Sequence, residues 1–208
     1  RNSLGAFKAM ERLGHLREVF FDRPGQSLGA KPVTVFHQGA AGFPENTRLK
    51  MGDVLIFTLH VVGSDDGESR EGGVSKKDHK ARRRANIAWL KESFALAGDS
   101  KAIIVAMHAD MFRGEGFRKK KQKWRGGSPY EQIGEALADA ARAYGKPVLL
   151  IYGDGHDYTV SSPLSKTVPN LAAIEVYGAD QMHGVEITLT GDTPKMFIDK
   201  ISNPALRN

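Results

Sequence analysis

The stretch Val148-Leu-Leu-Ile-Tyr-Gly-Asp-Gly-His-Asp-Tyr158 constrains this chain most tightly: an unbroken apolar run ends in glycines, two carboxylates and an imidazole. A strand dispenses with polar alternation only when both of its faces are buried, as in the parallel sheets of α/β proteins. A second segment, Ile103-Ile-Val-Ala-Met-His-Ala-Asp110, repeats the plan. Two buried strands, each delivering a His and a nearby Asp from its C-terminal end, are therefore the expected organising pair. In open α/β sheets, ligands gather at those ends.

The rest of the chain supplies what such strands need. Leu4 to Phe21 reads as an amphipathic helix, with Phe7, Met10, Leu13, Leu16 and Phe20 on one stripe, stopped by Asp22-Arg-Pro-Gly25. Val33 to Phe36 is expected as a short strand, His37 to Asn46 as a Gly- and Pro-rich loop, and Val54 to Val62 as a strand. Ser64 to Lys77 reads as a mobile polar insertion, followed by a helix from about Asp78 to Ala97 with Ile87, Leu90, Phe94 and Ala97 inward. Arg82 to Arg84 fall in its first turns, unfavourably for the helix dipole, which calls for a partner or exposure. After the strand Ala102 to Met107, Arg113 to Gly127 is a second mobile insertion. Ser128, Pro129 and Glu131 then spell a capping box. Ile133, Leu137, Ala140 and Tyr144 form the buried stripe of the helix, and Gly145 stops it. Leu171 to Tyr177 and Val185 to Thr190 read as a closing, hairpin-like pair of strands. That order predicts one α/β domain with an antiparallel or mixed edge.

Composition narrows the chemistry. Cysteine is absent, so disulfides, thiolate nucleophiles and zinc-thiolate sites are excluded together. The net charge of +6 is concentrated at Arg82 to Arg84, at Arg113, and in the run Arg118-Lys-Lys-Lys-Gln-Lys-Trp-Arg125. Such a run reads first as a solvated loop and second as a nucleic-acid or phosphate contact, with Trp124 favouring contact. No apolar run approaches the roughly 20 residues that span a bilayer. The chain opens on Arg1 without a signal-peptide pattern, which leans toward a processed, secreted or periplasmic protein while leaving the compartment open.

The strand-end rule sorts the seven histidines. His108 and His156 follow buried strands directly; His60, near the end of a third strand, is a weaker candidate. His15 and His79 are expected on helix surfaces, His37 in a loop, and His183 in a turn before an edge strand. Two readings of His108 and His156 stand side by side. They hydrogen-bond in a polar pocket, or they join Asp110, Asp154 and Asp157 around a metal ion such as zinc, manganese or iron. No nucleophile elbow, Walker loop or dinucleotide fingerprint is present.

The motifs taken together resemble a bacterial branch of the calcineurin-like metallophosphoesterases. Leu-Ile-Tyr-Gly-Asp-Gly-His156 is similar to its Gly-Asp-Ser-His block, and Ile-Val-Ala-Met-His108-Ala-Asp-Met-Phe112 to the block before it. Phe43-Pro-Glu-Asn-Thr-Arg48, Phe57-Thr-Leu-His-Val-Val-Gly-Ser64, Ala88-Trp-Leu90, Pro163-Leu164 and Asn170 to Gly178 follow the same branch in order. The resemblance implies a β-sandwich flanked by helices, with a dinuclear site of Mn, Fe or Zn at the strand ends. It makes His108 and His156 ligands of one metal, with Asp110, Asp154, Asp157 and Tyr158 around them or facing substrate. Tyr158 stands where many relatives have a second His.

The family's first three metal-binding blocks are absent from residues 1–208. The resemblance therefore implies the C-terminal portion of such a domain, with the bridging Asp and the general-acid His lying upstream. The expected activity is metal-dependent hydrolysis of a phosphorylated small molecule or nucleotide, performed together with an N-terminal half. The alternative is an inactive scaffold whose basic loops meet an acidic partner; nucleic acid is the less favoured partner. The reading frame upstream of Arg1 discriminates between the enzyme and the scaffold.

Overall fold

The computed structural model describes residues 8–67, 75–112, 127–181 and 183–190, and the backbone of 195–201. Seven strands form one sheet: β1 (Phe36–Gln38), β2 (Phe43–Met51), β3 (Val54–Thr58), β4 (Ala102–Ala106), β5 (Val148–Tyr152), β6 (Thr159–Ser161) and β7 (Leu171–Glu175), ordered β1-β2-β3-β4-β5-β7-β6. The four central strands β3, β4, β5 and β7 run parallel, while β1, β2 and β6 are antiparallel to their neighbours. The expected α/β class with a mixed edge is what the chain adopts.

Alternation along the strands explains the two layers. Leu55, Phe57, Ile103, Val105, Val148, Leu150, Leu171 and Ala173 pack against helices α3 (Lys76–Ala95) and α4 (Glu131–Tyr144), which supply Trp89, Leu90, Ile133, Leu137 and Ala141. Full burial of such side chains contributes about 1.5–3 kcal/mol each. Among the described residues, the opposite face buries Ile104, Leu149 and Ile174, with Val185 and Ile187 lying against them. Those two come from β8 (Gly184–Thr190), which pairs antiparallel with β9 (Lys195–Ile201) in a separate two-stranded sheet.

Several local expectations are corrected. Leu171 to Glu175 pairs with β5 and β6, not with β8, because the apolar run serves a strand with neighbours on both sides. The expected loop His37 to Asn46 holds β1, a short 3-10 turn and the start of β2; Pro44 is tolerated near the beginning of that strand. Strand β1 itself starts at Phe36, after an isolated bridge between Gln26 and Thr34. Helix α4 begins at Glu131, so Ser128 is not its cap residue. The Glu131 carboxylate instead accepts from the Gly127 N–H at 2.9 Å. Gly145 ends α4 with φ 71°, as a left-handed stop should. The first insertion is not loop throughout: Gly63–Asp66 is a short helical turn (α2), and Lys76 and Lys77 open α3. Residues 68–74 and 113–126, with the basic run, lie outside the described residues.

Helix α1 (Ala9–Phe20) has no buried residue, against the expectation of a packed stripe. Met10, Leu16, Val19 and Phe20 are exposed, as are Leu28, Val33, Phe36 and Met51. Arg17 ties it to the sheet by a hydrogen bond to Glu45 at 2.6 Å. Among the described residues, no helix is long and apolar enough to cross a membrane.

Candidate functional site

The parallel ladders bring three strand ends level. Thr58 pairs with Ala106, and Ala106 with Ile151; two residues further along stand His60, His108 and Gly153. His108 is exposed, its N–H donates to the Val61 carbonyl at 3.2 Å, and its carbonyl accepts from Gly153 N–H at 3.0 Å.

After Gly153 the chain enters the left-handed region twice, at Asp154 (φ 74°) and His156 (φ 66°). Asp and His accept that region better than most residues, yet it still costs on the order of 1–2 kcal/mol each. Strain of this kind persists only where the surroundings hold it, and it clusters at functional sites. Here it lays the Asp154 carboxylate over Gly63, with Oδ1 3.7 Å from His108 Nε2. A Cβ on Gly63 would collide with that carboxylate. Gly63→Ala is therefore expected to swing Asp154 away from His108, weakening any bound cation about 10–100-fold with little change in thermal midpoint. Calorimetric titration with Mn2+ beside a melting curve checks this; unchanged affinity would contradict it.

His108 and Asp154 are thus brought together, whereas the exposed His156 packs its Cβ over Gly178. Among the described residues no three His, Asp or Glu side chains converge as an ion-holding group. The donor chemistry nonetheless suits Mn, Fe or Zn, being imidazole and carboxylate without thiolate. With 61% of the His108 side chain and 31% of Asp154 exposed, both donors reach solvent. The pair fits a divalent ion as part of a larger ligand set.

The remaining predicted residues divide. Asp110 is half-buried and accepts from the Phe112 N–H at 3.0 Å, which shapes the chain after β4. Asp157 is exposed. Tyr158 stacks on Tyr177, with ring centroids 4.4 Å apart, and packs against the Ile104, Leu149 and Ile174 cluster.

Sequence reasoning missed Glu175, fully buried at the C-terminal end of β7, with its carboxylate pressed against Gly155. Burial pushes the neighbouring Tyr152 hydroxyl up, and Asp110 and Glu175 push it further. The signal was available: a carboxylate closing an apolar parallel strand is as anomalous as His108. It also missed Asp66. This fully buried carboxylate pairs with Arg82 at 2.8 Å and His79 at 2.9 Å, and its backbone N–H is held by Tyr130 Oη. His79 is therefore core, correcting the surface expectation, and Asp66 is the partner that Arg82 required. His15 remains on the exposed helix α1, and His37 stands on β1, where its Nδ1 accepts from Gly39 N–H.

A third missed group lies beside His60. Glu45 Oε2 is 3.6 Å from His60 Nδ1, and Arg17 holds the same carboxylate. Burial works to raise the Glu45 carboxyl, but His60 and Arg17 more than offset it and hold it at about 2. No protein-family model, curated protein or solved structure matches the chain.

The depressed Glu45 value has a stability consequence. Its contribution is complete above the ordinary carboxylate value of 4.5 and is lost as pH falls from there toward about 2. Glu45→Gln is expected to flatten that part of the acid-unfolding curve; an unchanged slope between those values would contradict the pairing.

Proposed function

We propose that this chain is the C-terminal portion of a calcineurin-like metallophosphoesterase and takes part in metal-dependent hydrolysis of phosphoric esters. The observation that carries the proposal is the convergence of His108 with Asp154 at adjacent parallel strand ends, held by a twice left-handed Gly-Asp-Gly-His turn. His108 and Asp154 would hold an ion there, joined by His156 as the resemblance implies. Two divalent ions are expected in the intact site, and when bound they supply Lewis-acid activation of the phosphoryl group. Glu175 and Gly155 set the course of the turn, and the Asp66 cluster anchors the loop on which Asp154 rests.

The second face of the sheet supports the portion reading. Parallel strands are ordinarily covered on both sides; among the described residues, α3 and α4 occupy one face and the other buries three residues, with β8 against them. The exposed apolar side chains of α1, Phe36 and Met51 suit further chain of the same domain. The substrate class is a phosphorylated small molecule or nucleotide.

A non-catalytic scaffold is the second reading, favoured by the lack of a third converging donor among the described residues. The two are separated by assaying the full-length protein that carries this sequence on p-nitrophenyl phosphate with Mn2+. Hydrolysis abolished by chelation supports the enzyme; its absence with any of Mn2+, Fe2+ or Zn2+ supports the scaffold.

A further inference from the structure

We propose that the exit of β7, from Glu175 to Gly178, is the seat that aims His156 as a metal ligand, with Glu175, Tyr177 and Gly178 as its positioning residues. The inference rests on the phosphoesterase reading above and deepens it, since the resemblance supplies His156 but nothing that orients it.

Topology puts the seat under the ligand. Strand β7 lies between β5 and β6 in the sheet. Glu175 pairs with Tyr152, the last residue of β5, and with Thr159, the first of β6. Residues 153–158 therefore arch over the C-terminal end of β7, and that arch carries Asp154 and His156. Its first foot is fixed beside the neighbouring candidate ligand, Gly153 N–H donating to His108 O at 3.0 Å. Gly155 N–H then turns back onto Gly153 O at 3.0 Å, with Asp154 at φ 74° between them, a γ-turn of the rare and strained kind. His156 follows at φ 66°. Two such conformations so close together persist only where the surroundings hold them.

The chain leaving β7 holds them at three places. The carboxylate of the fully buried Glu175 occupies the space that a Cβ on Gly155 would need. Tyr177 stacks on Tyr158 at the far foot of the arch, with ring planes 2° apart. Gly178 lies against His156 itself: a Cβ there would stand 2.6 Å from His156 Cβ and 2.9 Å from its Cγ. Neither Gly155 nor Gly178 has a positive φ, so close contact, not backbone conformation, is what calls for glycine at both.

The contact at Gly178 falls where it governs the ring. Cβ and Cγ are the pivot of the imidazole, so a support at those atoms decides where the two nitrogens point. An exposed side chain without such a support spreads over several rotamers, and ordering it on binding would weaken the hold on an ion. His156 is exposed, so the seat supplies the order that burial does not. The same arrangement gives Tyr158 a place in the seat, through its stack on Tyr177, rather than among the ligands.

The test titrates the full-length protein with Mn2+ in a calorimeter, with melting curves beside it. His156→Ala is the reference, because it marks which Mn2+ affinity depends on that ligand. Gly178→Ala is expected to weaken the same affinity about 10–100-fold, the scale for groups that orient ligands, with a thermal midpoint close to wild type. Gly155→Ala should do likewise. Adding Glu175→Asp to Gly155→Ala draws the carboxylate back by one methylene and should recover most of the loss, a coupling expected of groups in contact. Unchanged affinity in either alanine variant, or no recovery in the double one, would overturn the seat while leaving His156 a ligand. Should one alanine variant fail to fold, the other is read by the same criterion; if both fail, the glycines serve the fold and the proposal is wrong. Mn2+ binding that His156→Ala leaves intact, or a wild type that binds no Mn2+, would overturn the metal reading itself, and this inference with it.

Discussion

Asp66→Ala is expected to destabilise the fold by about 3–5 kcal/mol, the cost of leaving a buried charge without its partner. Both carboxylate oxygens are in use: Oδ1 meets Arg82 at 2.8 Å and the Val62 N–H at 3.2 Å, and Oδ2 meets His79 Nε2 at 2.9 Å. Arg82 also donates to the Asp66 carbonyl. Truncation strands a guanidinium that is only 4% exposed, beneath a loop whose backbone it holds. Burial pushes the Asp66 carboxyl up, against the pull of Arg82 and His79. Tyr130→Phe should cost less, about 1–3 kcal/mol, since it removes one hydroxyl that donates to Val62 O and accepts from Asp66 N–H. Urea denaturation of both variants checks the pair. A loss under about 1 kcal/mol for Asp66→Ala would show that the cluster is solvated rather than core.

His108→Ala is expected to lower hydrolysis of p-nitrophenyl phosphate by the full-length protein at least about 100-fold, the scale seen when one electrostatic stabiliser of a transition state is removed. Asp154→Asn should follow it, because the two side chains act through one 3.7 Å contact. The double variant is expected to be little worse than either single one, as for residues that work as a unit. Fully additive losses would mean that Asp154 serves the turn rather than the ion. Neither substitution touches the main core, so thermal midpoints should stay close to wild type.

The parallel centre of the sheet was legible because burial on both faces imposes a pattern that sequence cannot conceal: Ala102–Ala106 and Val148–Tyr152 are apolar at every position. His108 and Asp154 were legible for the same reason, polar groups being anomalous where such a run stops. Gly145 was read correctly as a helix stop from a purely local requirement for positive φ. What was not legible depended on pairing across the fold. Asp66 and Arg82 look like members of a polar insertion and a basic cluster until tertiary structure puts one against the other. Glu45 and Asn46 sit in a Gly- and Pro-rich stretch, and only pairing of β2 with β1 and β3 turns them toward His60. The partner of β8 was misjudged because an alternating, half-exposed strand does not encode which edge it joins.

The central claim is the proposal that His156, in the turn after β5, is a metal ligand in one set with His108 and Asp154. Elemental analysis of the full-length protein and its His156→Ala variant, each purified with Mn2+ and dialysed, tests it most directly. The account predicts that the variant loses the metal bound by this half of the site while remaining folded. Equal metal content in the two proteins would contradict it.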